Sequence, residues 1–413
     1  MRFDIPSFAC AAAISLCAST ALYGQNFSGP TKIPLGFNNQ SRAAQFVAGG
    51  DINKHGKADL LVGLYQIDSF GNASNARILV LTGDGTGKFT NQTLTNISAF
   101  VQTGTMADVN GDGNSDVITA YGASNGHAGF LNVFTSNGQG GFTKTGVFAL
   151  PQGTASYLAV ADFNGDKKPD ILVFNEIQVG KEDWTDVITL FLNHGDGTFT
   201  QGPVMNLESI VGGHTELVAG DFNGDGKMDI AFLVGGLLDM DPDTAVYQGV
   251  SVLLNTGNGT FTQGQTYTFP GTTFVSSLAA ADVNKDGRTD LVVGLNYSQG
   301  GPTNRLVTLL AKPNGNLFWY GATTLTAQPA AVTLSDLSGD GKVDAAVTLF
   351  NGSIRVYAGN GAGRFAGGAS YNVGANGSHV AAVPLSTGKL PSLFFGVGAS
   401  ATPTLNLLTN TTR

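Results

Sequence analysis

Charge is scarce in this chain: only 12% of its 413 residues are Asp, Glu, Lys or Arg, and no basic stretch occurs. The formal net charge is −9, which argues against nucleic acid as a partner, since that requires a clustered positive surface. Cysteine is scarcer still. The only two, Cys10 and Cys17, lie near the start, so the rest of the chain has no disulfide framework. Beyond that start no apolar run approaches the roughly 20 residues that span a bilayer, so no transmembrane segment is expected. There is also no HExxH and no Walker loop. What the chain has instead is glycine, 58 residues of it, with 42% hydrophobic residues. That combination suits many short strands joined by tight turns around a sizeable core.

Residues 1–25 differ from the remainder. Arg2 precedes the run FACAAAISLCASTALYG, a pattern of basic start, apolar centre and small residues that reads as a secretory signal peptide cut after Ala21 or Gln25. Leu16 ahead of Cys17 disfavours a lipoprotein signal. The expected product is residues 26–413, exported to the medium, the cell surface or the periplasm, and monomeric.

One nine-residue phrase occurs six times: DINKHGKAD (51–59), DVNGDGNSD (108–116), DFNGDKKPD (162–170), DFNGDGKMD (221–229), DVNKDGRTD (282–290) and DLSGDGKVD (336–344). Oxygen-bearing side chains fall at positions 1, 3, 5 and 9, usually with glycine at 6. Ca²⁺ takes six to eight oxygen ligands, and alternate residues of a tight loop can turn theirs inward. Variable position 7 fits a ligand supplied by the backbone carbonyl. An EF-hand would need a carboxylate at position 12, where Thr119, Phe232, Val293 and Val347 stand. Position 9 runs instead into apolar stretches such as DILVF and DLVVG, which read as strands.

A second phrase alternates with the first: TGDGTGKFT (82–90), TSNGQGGFT (135–143), NHGDGTFT (193–200), NTGNGTFT (255–262), KPNGNLFWY (312–320) and AGNGAGRFA (358–366). Asn/Asp-Gly turns between extended runs signal hairpins. Counting by the phenylalanine gives units from Phe27, Phe89, Phe142, Phe199, Phe261, Phe318 and Phe365. Their period of roughly 47 to 62 residues is that of propeller blades. The predicted fold is therefore all-β: a seven-bladed β-propeller with four-stranded blades. Residues 26–30 read as an outermost strand with nothing before it, and residues 404–410 as a third strand with nothing after it. Pairing the two completes the last blade and removes open sheet edges. The seventh loop, 384–391, has no carboxylate and is expected to bind no calcium.

These phrases resemble those of FG-GAP/VCBS-repeat proteins, whose best-known fold is the propeller head of integrin α subunits, and the resemblance covers residues 26–413. It implies that each loop joins the first and second strands of a blade on the lower face and holds calcium structurally, in about five sites. Residue by residue, the ligands carry over to Asp108, Asn110, Asp112 and Asp116, and to Asp162, Asn164, Asp166 and Asp170. They carry over likewise to Asp221, Asn223, Asp225 and Asp229, to Asp282, Asn284, Asp286 and Asp290, and to Asp336, Ser338, Asp340 and Asp344. The loop at Asp51 matches only in part, because His55 stands at position 5. With a Kd of about 0.1 mM in about 1 mM calcium, each site gives ~1.4 kcal/mol and five give about 7, comparable with the net stability of a domain.

If these loops lie on the lower face, the connections between second and third strands lie on the upper one, where loops carry function on a regular scaffold. They contain Asp183, Trp184, Asp239, Asp241, Asp243, Tyr247 and Tyr297. Aromatics beside carboxylates suit stacking on, and hydrogen bonding to, a sugar. The expected partner is a carbohydrate or a cell-surface protein. The alternative is a polysaccharide-active lyase or hydrolase, for which no catalytic residue stands out. Gly122–Gly126 spells GxSxG, but between two strands it lacks the strand-to-helix turn of a nucleophile elbow.

Overall fold

The computed structural model describes residues 25–35, 42–67, 73–96, 103–121, 129–150, 154–178, 184–207, 216–235, 248–269, 273–297, 304–374, 377–397 and 404–412. Among them no helix occurs; 28 strands form seven antiparallel four-stranded sheets. Six of these blades are simple meanders, with strands in chain order from the inside outward. They start at the innermost strands Arg42–Gly50, Thr103–Ala107, Thr154–Ala161, Leu217–Gly220, Thr273–Ala281 and Pro329–Ser335. The seventh is composite: Gly377–Pro384, Pro391–Val397 and Thr404–Leu408 are completed by Thr31–Pro34.

In that composite blade Thr31 pairs with Leu407 and Pro34 with Thr404. The ladder thus lies a few residues beyond the expected 26–30. The earlier residues still attach: Phe27 bridges Asn410, and the Ser28 N–H donates to the Thr409 carbonyl. Pro30 separates that bridge from the ladder, since proline cannot donate to a ladder and is tolerated only at strand ends and edges. Residues 1–24, which hold most of the expected signal segment, lie outside the described residues.

Second and third strands read as unbroken apolar runs because both of their faces are covered by neighbouring blades. Asp170–Asn175 and Leu306–Ala311 are buried at every position, whereas the outermost strand Phe142–Ala149 is mostly exposed. The core is accordingly divided into seven clusters, one at each blade interface. The cluster between blades seven and one contains Ile33 from the start of the chain with Leu405 and Leu407 from its end. The ring is therefore held shut by apolar burial as well as by the ladder.

Candidate functional site

Each of the six loops joins an innermost strand to the next strand outward, and its residues divide the work. Position 2 is apolar in all six: Ile52, Val109, Phe163, Phe222, Val283 and Leu337 are at most 2% exposed. This side chain anchors the loop in the interface between blades. Its N–H donates to Oδ2 of the position 9 aspartate, at 2.9 Å for Ile52 and 3.0 Å for Phe222. The other oxygen of that aspartate accepts from the backbone where the third strand ends, for example from Gly83 at 2.8 Å and Asn255 at 2.7 Å. Asp59, Asp116, Asp170, Asp229, Asp290 and Asp344 are all fully buried. Each is thus a clamp that satisfies two backbone donors otherwise orphaned inside the protein. Burial pushes these carboxyls upward, to about 6 for Asp116 and Asp229 and about 7 for Asp290, against the opposing pull of the N–H donors.

The position 1 carboxylate closes the loop. In blade four Asp221 accepts from Gly224 at 2.7 Å and Gly226 at 2.8 Å, and Asp108 and Asp336 repeat the pattern. For both N–H groups to face one carboxylate, the chain must pass through the left-handed region at position 4 as well as position 6. Gly224 has φ 78° and Gly226 81°. Lysine takes that conformation at Lys54, Lys285 and, in place of the expected position 6 glycine, Lys167. At position 3 the asparagine oxygen accepts from the position 5 N–H, as Asn223 does from Asp225 at 2.9 Å. The position 5 carboxylate then pairs with a basic residue at position 7: Asp225 with Lys227 at 3.0 Å, Asp286 with Arg288 at 2.5 Å and Asp340 with Lys342 at 2.7 Å. Position 7, read above only as a carbonyl donor, therefore also carries charge. The donor atoms at positions 1, 3 and 5 are oxygens on a preformed turn, chemistry that suits a hard cation such as Ca²⁺.

Blade one departs from its sisters. His55 Nδ1 lies 3.1 Å from Asp51 Oδ1, and Nε2 lies 3.1 Å from the Gly83 carbonyl oxygen and 3.7 Å from Asp59 Oδ1. Among the described residues, Asp51, His55 and Asp59 form the one group of three such side chains whose ligand atoms converge within 4.8 Å. The seventh loop, lacking carboxylates, docks on blade one instead: the Thr387 N–H donates to the Gly56 carbonyl at 2.8 Å, and Ala58 N–H to that of Leu385 at 3.0 Å.

Sequence reasoning also missed the staples between loops. The Asn193 side-chain amide donates to Val109 and Pro169 carbonyls, Asn255 to those of Phe163 and Met228, and Asn410 to those of Leu337 and Pro391. Each therefore ties its own blade to position 2 of the preceding blade's loop. The signal was present as the leading asparagine of NHGDG and NTGNG, read above only as part of a turn.

Trp184 and Tyr297 stand at strand ends away from the aspartate loops, paired in register with Gln178 and Thr273. Asp183, Asp239, Asp241, Asp243 and Tyr247, and the GxSxG segment, lie outside the described residues. The same end of the innermost strands holds titratable groups that sequence did not mark. Glu216 accepts from the Leu278 N–H of the next blade, and burial raises its carboxyl to about 8. Burial and the nearby Glu216 raise the Tyr157 phenol, while burial lowers His379 to about 4.

A family model described as FG-GAP-like repeat matches residues 51–119, 108–173, 177–232 and 238–293, together more than half of the chain. No curated protein matches. Among solved structures, BBS1N, crystallised in complex with ARL6DN, is similar at 13% identity, covering 94% of this chain and 99% of its own, with a TM-score of 0.53. Sqt1 of Saccharomyces cerevisiae is similar at 11% identity with the same coverages and TM-score. At these identities the likeness concerns the fold alone.

Proposed function

Since the chain belongs to the FG-GAP-like repeat family, we propose that it is an exported propeller whose aspartate loops hold structural calcium and whose opposite end receives a carbohydrate or a surface-protein ligand. The observation that carries the calcium reading is the repeated loop of blades two to six. In blade four its position 1 carboxylate is fixed by two left-handed N–H donors, with further side-chain oxygens at positions 3 and 5. The loops are hydrogen-bonded to the core at positions 2 and 9, so a bound cation would tighten a turn that is already formed rather than create it. Export rests on the character of residues 1–21. Gln25 is buried, and its carbonyl accepts from the Tyr371 hydroxyl at 2.8 Å, which supports a cut ahead of it. Among the described residues no helix is long and apolar enough to cross a membrane.

A second reading, a polysaccharide-active enzyme, draws on the half-buried Glu216 and Tyr157 at the end opposite the loops, because perturbed titratable groups cluster at functional sites. Binding to a polysaccharide and glycan array, with calcium and with chelator, separates the two. Saturable binding without product, lost in chelator only as the melting temperature falls, supports the binding propeller. Product release would replace it with the enzyme, and silence on every glycan would leave a protein ligand.

A further inference from the structure

The blade-one loop has the wrong chemistry for its sisters' cation and the right chemistry for a different one. His55 Nε2 faces the Gly83 carbonyl oxygen at 3.1 Å, and since a carbonyl can only accept, Nε2 carries the hydrogen. Nδ1 then carries the lone pair, towards which the Lys57 N–H makes a long contact of 3.3 Å that a bound cation would replace. That lone pair lies 3.1 Å from Asp51 Oδ1. Two electron-rich atoms at that distance repel unless a proton or a metal cation lies between them. Donation of the remote ring N–H to a backbone carbonyl is also the usual support for a metal-bound histidine.

A second observation comes from position 3. In blades two to five this amide oxygen accepts from the position 5 N–H. In blade one the His55 N–H turns to Asp51 instead, and Asn53 Oδ1 is left enclosed with no hydrogen-bond partner. An orphaned buried oxygen is destabilising unless something occupies it. Asp59 supplies the fourth position, fully buried. A crevice of about 280 Å³, lined by Gly50, Asp51, Gly56 and Val383 among others, opens beside the loop between blades one and seven and gives an ion a way in.

We propose that the blade-one loop is a site for a borderline divalent transition ion such as Zn²⁺, held by Asp51, His55 and Asp59 with Asn53 as a further oxygen donor. Imidazole suits zinc, cobalt and nickel, whereas calcium selects all-oxygen sets. Ligand atoms around a four-coordinate zinc with bonds of ~2.0–2.1 Å stand roughly 3.4 Å apart, and the 3.1 Å Asp51–His55 approach is near that value. The inference does not depend on calcium in the other loops.

The test is titration of the full mature chain with Co²⁺ as a coloured probe and then Zn²⁺ as competitor, in millimolar calcium to fill any hard-cation sites. The wild type should take up about one equivalent of Co²⁺ with new visible bands that Zn²⁺ abolishes. His55→Ala should lose that equivalent and the bands. His55→Asp, which installs the residue found at position 5 of the other five loops, should also lose them. Melting in calcium establishes that both variants are folded. Absence of uptake by the wild type would mean that a proton, as the imidazolium, fills the gap, and would overturn the proposal. So would an unchanged equivalent in folded His55→Ala, which would place the ion elsewhere.

Discussion

Blades one and four carry the same nine-position loop on the same scaffold, yet their two halves behave differently. The inner half is identical: a fully buried apolar residue at position 2, Ile52 or Phe222, donates to a fully buried aspartate at position 9, Asp59 or Asp229. The outer half diverges. Asp225 is an oxygen donor balanced by Lys227, whereas His55 is a ring wedged between Asp51, Asp59 and the Gly83 carbonyl. The hydrogen-bonded frame of the loop is thus separable from the side chains that its outer half presents. A degenerate repeat keeps its shape because the frame is set by burial, and is then free to change its chemistry.

The strongest challenge to that division is removal of the frame. Asp229→Ala and Asp59→Ala each strand two buried backbone donors, so each should destabilise by about 2–6 kcal/mol at ~1–3 kcal/mol per unmade bond. In chelator the two losses, measured by urea unfolding, should be alike; a negligible loss in either would mean that position 9 serves only an ion.

The other end of blade four offers a pH test. Glu216, with its folded carboxyl raised to about 8 from the ordinary 4.5, holds a proton in the native state that the unfolded chain releases. Stability should therefore fall as pH rises from about 4.5 to about 8 and level off above, since the native state binds the extra proton. Comparing urea unfolding across that range, Glu216→Gln should remove this component of the slope. An unchanged slope would show that Glu216 is ionised in the fold.

Smaller effects come from the staples and the turns. Asn255→Ala removes one hydrogen bond to Phe163 of the blade-three loop and one to Met228 of its own loop and should cost about 1–2 kcal/mol. Blade one has Gly83 at this place and no such staple to lose. Least of all, Lys285→Gly relieves a lysine held at φ 61° and should change stability by no more than about 1 kcal/mol, because relief of strain opposes the added backbone entropy. Thermal melts resolve both.

The propeller was legible because its determinants are local and repeated. The Asp phrase, the Asn-Gly hairpins and the buried runs between them recur at a period that only a blade fits, and a matching family model and seven sheets agree. The oxygen donors at positions 1, 3 and 5 were legible for the same reason. What sequence hid was non-local or dual. That Asp229 clamps Asn255, 26 residues away, cannot be read from spacing within a loop. That Asn255 reaches the loop of another blade depends on how neighbouring blades pack. The second left-handed residue at position 4 was masked by Lys54 and Lys285, which occupy it without glycine. His55 looked like decay of a calcium loop until its two nitrogens could be placed against their partners.

The central claim, that the aspartate loops hold calcium which strengthens the ring, is tested most directly by calorimetric melting of the mature chain in millimolar calcium and in chelator. Five sites contributing about 7 kcal/mol together predict a rise in Tm on the order of 10 °C with calcium, reduced by each position 1 substitution such as Asp221→Ala. Superimposable melting curves with and without calcium would contradict the account, leaving hydrogen bonds and apolar burial alone to hold the propeller closed.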